Sequence, residues 1–335
     1  MTPTGHPPLI EVHGLAKRFS VERGLIERLA GRPRRQVAAL DGVSLRLEAG
    51  ETLAIVGESG CGKSTLARCL VRLHSADEGS IAYLGHDVGL MRGEELRDYR
   101  RHVQMIFQDP YSSLNPRMTV GQTLSEAIVV NGLRPRAEAP ARVAELLDLV
   151  NLPPDAATRY PSEFSGGQRQ RIGIARALAL EPSCIIADEI LSALDVSVQA
   201  QIINLLISLQ KRLGLSMIFV SHDLRVVRFL SHRVAVMYLG RVVEEGETEA
   251  VFSAPAHPYT RALLAAAPEV GRSRGRHDSA MTGELPSPMN LPPGCVFHPR
   301  CPLATGLCRT EVPWLLGMET GRSVACHLAP GRDPR

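Results

Sequence analysis

The chain has 335 residues, enough for one large domain or two smaller ones with an ample core. Its 44% apolar and 22% charged residues are ordinary for a soluble globular protein, and a net charge of +3 is too small to argue for a nucleic-acid or membrane-surface binder. Of the 38 basic residues only Lys17, Lys63 and Lys211 are lysine, which makes each worth inspection.

The opening stretch MTPTGHPPLIEVHG lacks the apolar run of a signal peptide, and no window reaches the roughly eighteen apolar residues of a membrane span. A soluble, cytosolic chain with reduced thiols is the expectation. Residues 1–8 read as a loose lead-in, and 9–19 and 37–48 as strands. Between the strands lies the Arg-rich RGLIERLAGRPRRQ, either a solvated loop or a contact for lipid head groups or a membrane partner. TLAIV (52–56), a Gly-rich turn and an apolar-periodic stretch from Lys63 to His74 read as strand, loop and helix. VQMIF (103–107), CIIAD (184–188), SMIFVS (216–221) and RVAVMYL (233–239) are further apolar strands, most of them separated by helical patterns such as VQAQIINLLISLQKRLG (198–214). This alternation predicts an α/β fold, a parallel sheet with helices on both faces. Residues 109 to about 165 lack strand patterning and read as a helical insertion. The polar stretch from Pro268 to Pro288 reads as a linker to a cysteine-bearing tail.

GESGCGKST (57–65) matches G-x-x-x-x-G-K-[ST] through Gly57, Gly62, Lys63 and Ser64. Glycines let such a loop wrap closely, so that backbone N–H groups turn toward phosphate oxygens, and the helix beginning near Lys63 adds its positive dipole end. Lys63 supplies a point charge to the β- and γ-phosphates, and the Ser64 hydroxyl is a Mg²⁺ ligand. The nucleotide-binding set here is Gly57, Ser59, Gly60, Cys61, Gly62, Lys63, Ser64 and Thr65. CIIADE (184–189) is an apolar strand ending in two carboxylates: Asp188 suits the metal's water shell, and Glu189 a general base that polarises water. FSGGQRQRIGIARAL (164–178) opens an amphipathic helix with Ser165 as cap and Gly166 and Gly167 exposing backbone donors, a second anion site in the same chain.

In combination these runs resemble the ATP-binding cassette family over residues 9–255. The resemblance implies a RecA-like P-loop ATPase core with an antiparallel β subdomain and a helical subdomain of about 109–180, followed by a small Cys-rich C-terminal extension (256–335). It implies that Phe19 stacks on adenine, and that Gln108 senses Mg²⁺ and the membrane partner. Mg²⁺ would then be held through Ser64, Gln108 and Asp188. Ser165, Gly166, Gly167 and Gln168 match the family signature, Asp195 closes the D-loop SALD, and His222 in FVSHDL matches the switch histidine at the γ-phosphate. Two cassettes face each other in this family, with ATP between one chain's phosphate loop and the other's SGGQ. One departure is Ile190, where many members carry proline after the Glu.

QDPYSSLNPRMTVGQTLSEAI (108–128), ALDVSVQAQIINLL (193–206) and HPYTRALLAAAP (257–268) are similar to the ATPase subunits of bacterial dipeptide/oligopeptide importers, a group that also includes nickel and glutathione relatives. The likeness implies two transmembrane permease subunits, an extracytoplasmic substrate-binding protein and a second, different ATPase chain. It implies a place on the cytoplasmic face of the membrane and no nucleic-acid partner. The helical insertion is expected to dock a permease coupling helix.

Four of the seven cysteines, Cys295, Cys301, Cys308 and Cys326, fall in the last 41 residues at C-x5-C-x6-C-x17-C. That spacing fits neither the paired C-x2-C of zinc ribbons nor the ferredoxin run, which leaves inert thiols or a metal site, a mixed site with His298 or His327 included. The likeness to the importer tail implies a [4Fe–4S] cluster on the four thiolates. Cys61, Cys69 and Cys184 read as buried thiols. A translation or DNA-repair cassette is the alternative class, disfavoured by a single motif set and no long heptads; a non-catalytic sensor is disfavoured by intact Lys63, Asp188, Glu189 and His222.

Overall fold

The computed structural model describes residues 7–20, 36–109, 114–266, 286–318 and 321–329. The Arg-rich stretch (apart from Gln36) and nearly all of the 268–288 linker lie outside the described residues. The chain forms two units, one of residues 1–9, 47–52 and 90–221, the other of 10–46, 53–89 and 222–335.

In the first unit, strands Val103–Ile106, Cys184–Asp188 and Ser216–Val220 run parallel, with Cys184 opposite both Val103 and Ser216. Cys184–Asp188 and Ser216–Val220 are buried at every residue, as continuous apolar runs require in a parallel sheet. Helix Gly93–His102 leads directly into the first of these strands. Helix Val120–Val130 starts from a capping box between Thr119 and Gln122, and it packs with helices Ala139–Leu149 and Gly166–Leu178 around Leu124, Ile128, Leu146 and Ile172, all fully buried. Helix Val196–Leu213 ends at Gly214, whose φ of 64° gives the left-handed turn that a Cβ would strain.

In the second unit, a four-stranded sheet runs in the order Gln36–Leu47, Ile10–Ser20, Glu78–Tyr83, His86–Asp87. Its pairings of Ile10 with Tyr83 and of Tyr83 with His86 are antiparallel. A second sheet pairs Thr52–Val56 in parallel with Arg233–Tyr238. The chain then reverses through Leu239 and Gly240, at φ 43° and 79°, into the antiparallel strand Arg241–Glu247. Two central residues at positive φ make the primed hairpin turn whose twist matches its strands. The tail strand Ser323–Val324 pairs with Glu244 and Glu245 at the far side, and Leu316–Gly317 follows it. The sheet is therefore mixed, where strand–helix alternation predicts a parallel one. A leucine at positive φ leaves no sequence signal, so this hairpin is not visible in RVAVMYLGRVVEEGE.

The same unit fastens the segment after residue 255 to its core. Fully buried Glu244 accepts backbone hydrogen bonds from Ala256 (2.8 Å) and His257 (2.9 Å), and the Ala325 N–H donates to Val243 O at 2.9 Å. Phe297 sits edge-on to Tyr238, with ring centroids 5.3 Å apart, and against Tyr259 at 5.5 Å and His257 at 5.7 Å. Nδ1 of His257 accepts from the Tyr259 N–H at 3.0 Å. Burial, helped by the nearby Arg261 charge, pushes His257 down to about 3.

His257 is thus neutral in the folded chain but titrates near about 6.5 once unfolded. The folded pKa is depressed, so its stabilisation is complete above about pH 6.5 and is lost as pH falls toward 3. Unfolding free energies from urea titrations between about pH 6.5 and pH 4 should fall less steeply in His257→Gln than in the natural chain, the difference in slope approaching about 1.4 kcal/mol per pH unit; identical slopes would contradict a neutral, buried His257.

Candidate active site

Phe19, the 57–65 loop and His222 belong to the second unit. Gln108, residues 165–168, Asp188, Glu189 and Asp195 belong to the first.

In the second unit the loop leaves the all-buried strand Thr52–Val56. Gly57 and Gly62 adopt φ of 151° and 106°, and a Cβ on either would lie 2.2 Å from a backbone oxygen, Met237 O and Ala39 O respectively. No side chain fits at either place, whereas Gly60 at φ 78° meets open space and is needed for its backbone angle alone. Gly62 is the N-cap of helix Lys63–Leu70 and supplies no side-chain cap, which suits an anion at that end. Lys63 is 4% exposed, and its ammonium donates to Gly57 O at 2.9 Å and Glu58 O at 3.0 Å. Ser64 and Thr65 are half-buried in the first turn, and Ser59 is exposed on the loop. Cys61 is buried within the loop, and burial pushes its thiol up, more than the neighbouring Lys63 charge lowers it. Cys69 and Cys184 are likewise raised by burial, to about 11 and about 12, so they are inert thiols at neutral pH.

The Phe19 ring is half-buried, edge-on to His74 at 5.3 Å, with the Lys17 ammonium 5.6 Å from its centre. Lys17 is itself held by Asp77 at 2.9 Å. His222 is exposed just before helix Leu224–Leu230, which Asp223 caps through the Arg225 N–H. The side-chain hydrogen bond from Arg225 holds Asp223 below the ordinary carboxylate range.

In the first unit Asp188 is 3% exposed at the end of its strand. Glu189 follows at φ 49°, a left-handed angle that costs a non-glycine residue about 1 kcal/mol and is tolerated where function or packing enforces it. Its N–H donates to Val220 O at 3.0 Å, which pins the turn. Gln108 Nε2 lies 3.5 Å from Glu189 Oε2 and 3.3 Å from Ser192 Oγ, and that hydroxyl donates to Glu189 O at 2.9 Å. Ile190, the departure from the family pattern, is buried to 1% exposure and anchors the turn by apolar packing. Gln199 was not visible as a site residue: its amide donates to Leu191 O and Leu194 O, both at 3.0 Å, and clamps the SALD loop ahead of Asp195. Nothing in a helix-forming VQAQI pattern marks that role.

Ser165 caps helix Gly166–Leu178 in a reciprocal box, accepting from the Gln168 N–H at 3.3 Å while Gln168 Oε1 accepts from the Ser165 N–H at 3.0 Å. The two glycines differ. Gly166 is exposed, and a Cβ there meets only ordinary contact, whereas a Cβ on Gly167 would lie 2.4 Å from Val198 Cγ1. Gly167 therefore permits close helix packing, and Gly166 is the one that leaves the helix end open.

The tail cysteines are free thiols. Among the described residues no three His, Cys, Asp or Glu side chains gather as a group able to hold a metal ion. His298 Nδ1 faces Cys295 O and His327 Nε2 faces Glu311 O, both at 2.9 Å, and neither histidine joins the cysteines in such a group. The four thiols nevertheless share one electrostatic neighbourhood. Burial pushes Cys295 up to about 11, with smaller contributions from Cys308, Cys326 and Cys301, and burial also raises Cys301. Three sulfurs receive a backbone hydrogen bond from the residue two positions on: Cys295 from Phe297, Cys301 from Leu303, and Cys326 from Leu328 at 3.4 Å.

A phosphate loop that excludes side chains, a buried lysine held by that loop and a carboxylate pair at the end of a parallel strand define a P-loop ATPase. A search of family models matches the ABC transporter family over residues 40–192 and the oligopeptide/dipeptide transporter C-terminal region over residues 243–308. The chain is 54% identical over 320 residues to the "Probable peptide ABC transporter ATP-binding protein y4tS" of Sinorhizobium fredii, spanning 96% of this chain and 90% of that protein. It is 48% identical to the oligopeptide transport ATP-binding protein AppF of Bacillus subtilis, over 98% of this chain and 99% of AppF. Among solved structures, the ATP-binding cassette MJ0796, a dimer in a post-hydrolysis state bound to ADP and Pi, is similar with a TM-score of 0.62 and 29% identity, over 71% of this chain and 98% of that one. The chain belongs to the ABC transporter ATPase family, in its oligopeptide/dipeptide branch, and is an ATP-hydrolysing importer subunit.

The glycine geometry separates two substitutions. Gly62→Ala should lower affinity for a fluorescent ATP analogue by more than about tenfold, because the added methyl displaces the loop backbone. Gly60→Ala should fold with a loss of about 1 kcal/mol, for its left-handed angle, and still bind the analogue.

Proposed function

We propose that this chain powers uptake of short peptides. It would sit on the cytoplasmic face of the membrane, carried by two permease subunits that receive cargo from an extracytoplasmic binding protein. The branch of the family and the peptide-transport names of its relatives support the cargo class. No helix among the described residues is long and apolar enough to cross a membrane, which agrees with attachment through permeases. The helices after Gln108 are the surface for a permease coupling helix.

In this reading the loop amides and Lys63 take the β- and γ-phosphates, Phe19 stacks on adenine, and Ser64, Gln108 and Asp188 serve Mg²⁺. The Lys63 ammonium would exchange loop carbonyls for phosphate oxygens. Ser165, Gly166, Gly167, Gln168 and Asp195 act on the nucleotide of the facing cassette, a second and different ATPase chain. Glu189 is the general base, with His222 aligning water and γ-phosphate. The observation that carries this assignment is Glu189 itself, held at a strained backbone angle with Gln108 beside its carboxylate. Removing a general base typically costs 10²- to 10⁴-fold in rate. Glu189→Gln should therefore bind ATP normally, lose turnover by about a hundredfold or more and accumulate as an ATP-bound dimer in size-exclusion chromatography. Persistent hydrolysis would assign the base elsewhere.

Cys295, Cys301, Cys308 and Cys326 form the candidate seat of a [4Fe–4S] cluster, which would cross-link the tail when bound. The backbone hydrogen bonds to three of the sulfurs favour thiolates, as at cluster ligands, and a cluster holds its four thiolates farther apart than a single ion does. Protein purified without oxygen should show broad visible absorbance, with about four iron and four sulfide per chain, both lost in Cys301→Ser. Colourless, iron-free protein would leave four structural thiols.

A further inference from the structure

Glu58 is the second residue of the phosphate loop, and three of its groups are held by different parts of the chain. Its carbonyl accepts from Lys63 Nζ at 3.0 Å. Its N–H donates to the Tyr259 hydroxyl at 2.9 Å. Its carboxylate takes a two-pronged contact from Arg300, Nη1 to Oε2 at 2.9 Å and Nη2 to Oε1 at 3.2 Å. Tyr259 and Arg300 both come from the segment beyond residue 255. Arg300 adjoins Cys301 in a turn whose Phe297 packs on Tyr238, Tyr259 and His257.

The Arg300 side chain is 8% exposed and that of Glu58 22%, so the pair is largely withdrawn from water. A fork-to-fork guanidinium–carboxylate contact is directional as well as strong, and in such a setting loss of one partner strands the other. Arg300 Nη1 also lies 3.4 Å from the Tyr238 hydroxyl, on the strand next to the one that delivers the loop. None of these contacts is needed to bury the aromatic cluster, which packs through rings. Their common effect is to fix the direction of Glu58, and through its carbonyl the place where the Lys63 ammonium rests.

We propose that Arg300 and Tyr259 are positioning residues for ATP binding, and that the C-terminal segment sets the nucleotide affinity of this cassette by holding Glu58. The proposal rests on the reading that the 57–65 loop binds ATP. Each would act through Glu58, Tyr259 on its backbone N–H and Arg300 on its carboxylate. The SGGQ and carboxylate motifs do not announce this role.

The test uses the full chain, a fluorescent ATP analogue for affinity and steady-state hydrolysis for KM and kcat. Arg300→Met should weaken binding about tenfold and raise KM in proportion with kcat little changed, since the base and signature are untouched. Arg300→Lys should recover part of the loss as a single-point contact. Glu58→Gln should weaken binding similarly, and the Glu58→Gln/Arg300→Met double variant should be no worse than either alone. Tyr259→Phe, which removes one oxygen and keeps the ring, should weaken binding about threefold and serves as the test should Arg300→Met not fold. Folded Arg300→Met or Tyr259→Phe with unchanged affinity and KM would overturn the proposal. Lys63→Ala measured alongside separates the two layers: if it binds the analogue like the natural chain, the loop is not the ATP site and the underlying reading fails, whereas loss in Lys63→Ala with no change in the positioning variants rejects the positioning role alone.

Discussion

A buried ammonium must have oxygen partners, and Lys63 takes them from its own loop. At 4% exposure it would be costly to leave unpaired, so the carbonyls of Gly57 and Glu58 converge on it. That convergence requires the loop to pass within hydrogen-bond distance of the lysine and against the backbone at Met237 and Ala39. Glycine at 57 and 62 follows from this closeness. In the proposed reading the same arrangement would take phosphate: an anion that brings its own oxygens would offer the ammonium equivalent partners and meet the helix end at Gly62.

The first unit places a different kind of constraint around its carboxylates. Asp188 ends a strand buried on both sides, and the next residue turns at once into a left-handed conformation. The turn persists because three independent contacts hold it: Glu189 N–H on Val220 O, Ser192 on Glu189 O, and buried Ile190 beneath. Ile190 stands where many members of the family carry proline; here apolar burial stiffens the corner. Gln199 restrains the following loop by a double backbone contact. A general base, the role proposed for Glu189, would gain from this rigidity, since its distance to an attacking water decides its effectiveness.

The tail is continuous with the sheet of the second unit. Its strand extends the sheet edge past Arg241–Glu247, and buried Glu244 and the ring cluster at Phe297 fasten the intervening chain. The cysteines occupy a segment whose position is already determined by these contacts. A group bound by the four sulfurs would add to a packed element and would not have to create it.

The sequence by itself determined the chemistry. Gly57, Gly62, Lys63, Asp188, Glu189 and the helix cap Ser165 are legible because the role proposed for each demands a residue type at a set spacing from its neighbours along the chain. The buried strands are legible too, since an apolar run of four to six residues has few other uses. Only the tertiary structure decided the Leu239–Gly240 reversal, the close helix approach at Gly167, the clamp by Gln199 and the hold of Arg300 and Tyr259 on Glu58. Arg300 and Glu58 are 242 positions apart, and neither stands out locally from the chain's other charged residues. Local rules act through spacing, whereas these four depend on which surfaces meet, and that follows from packing the whole unit.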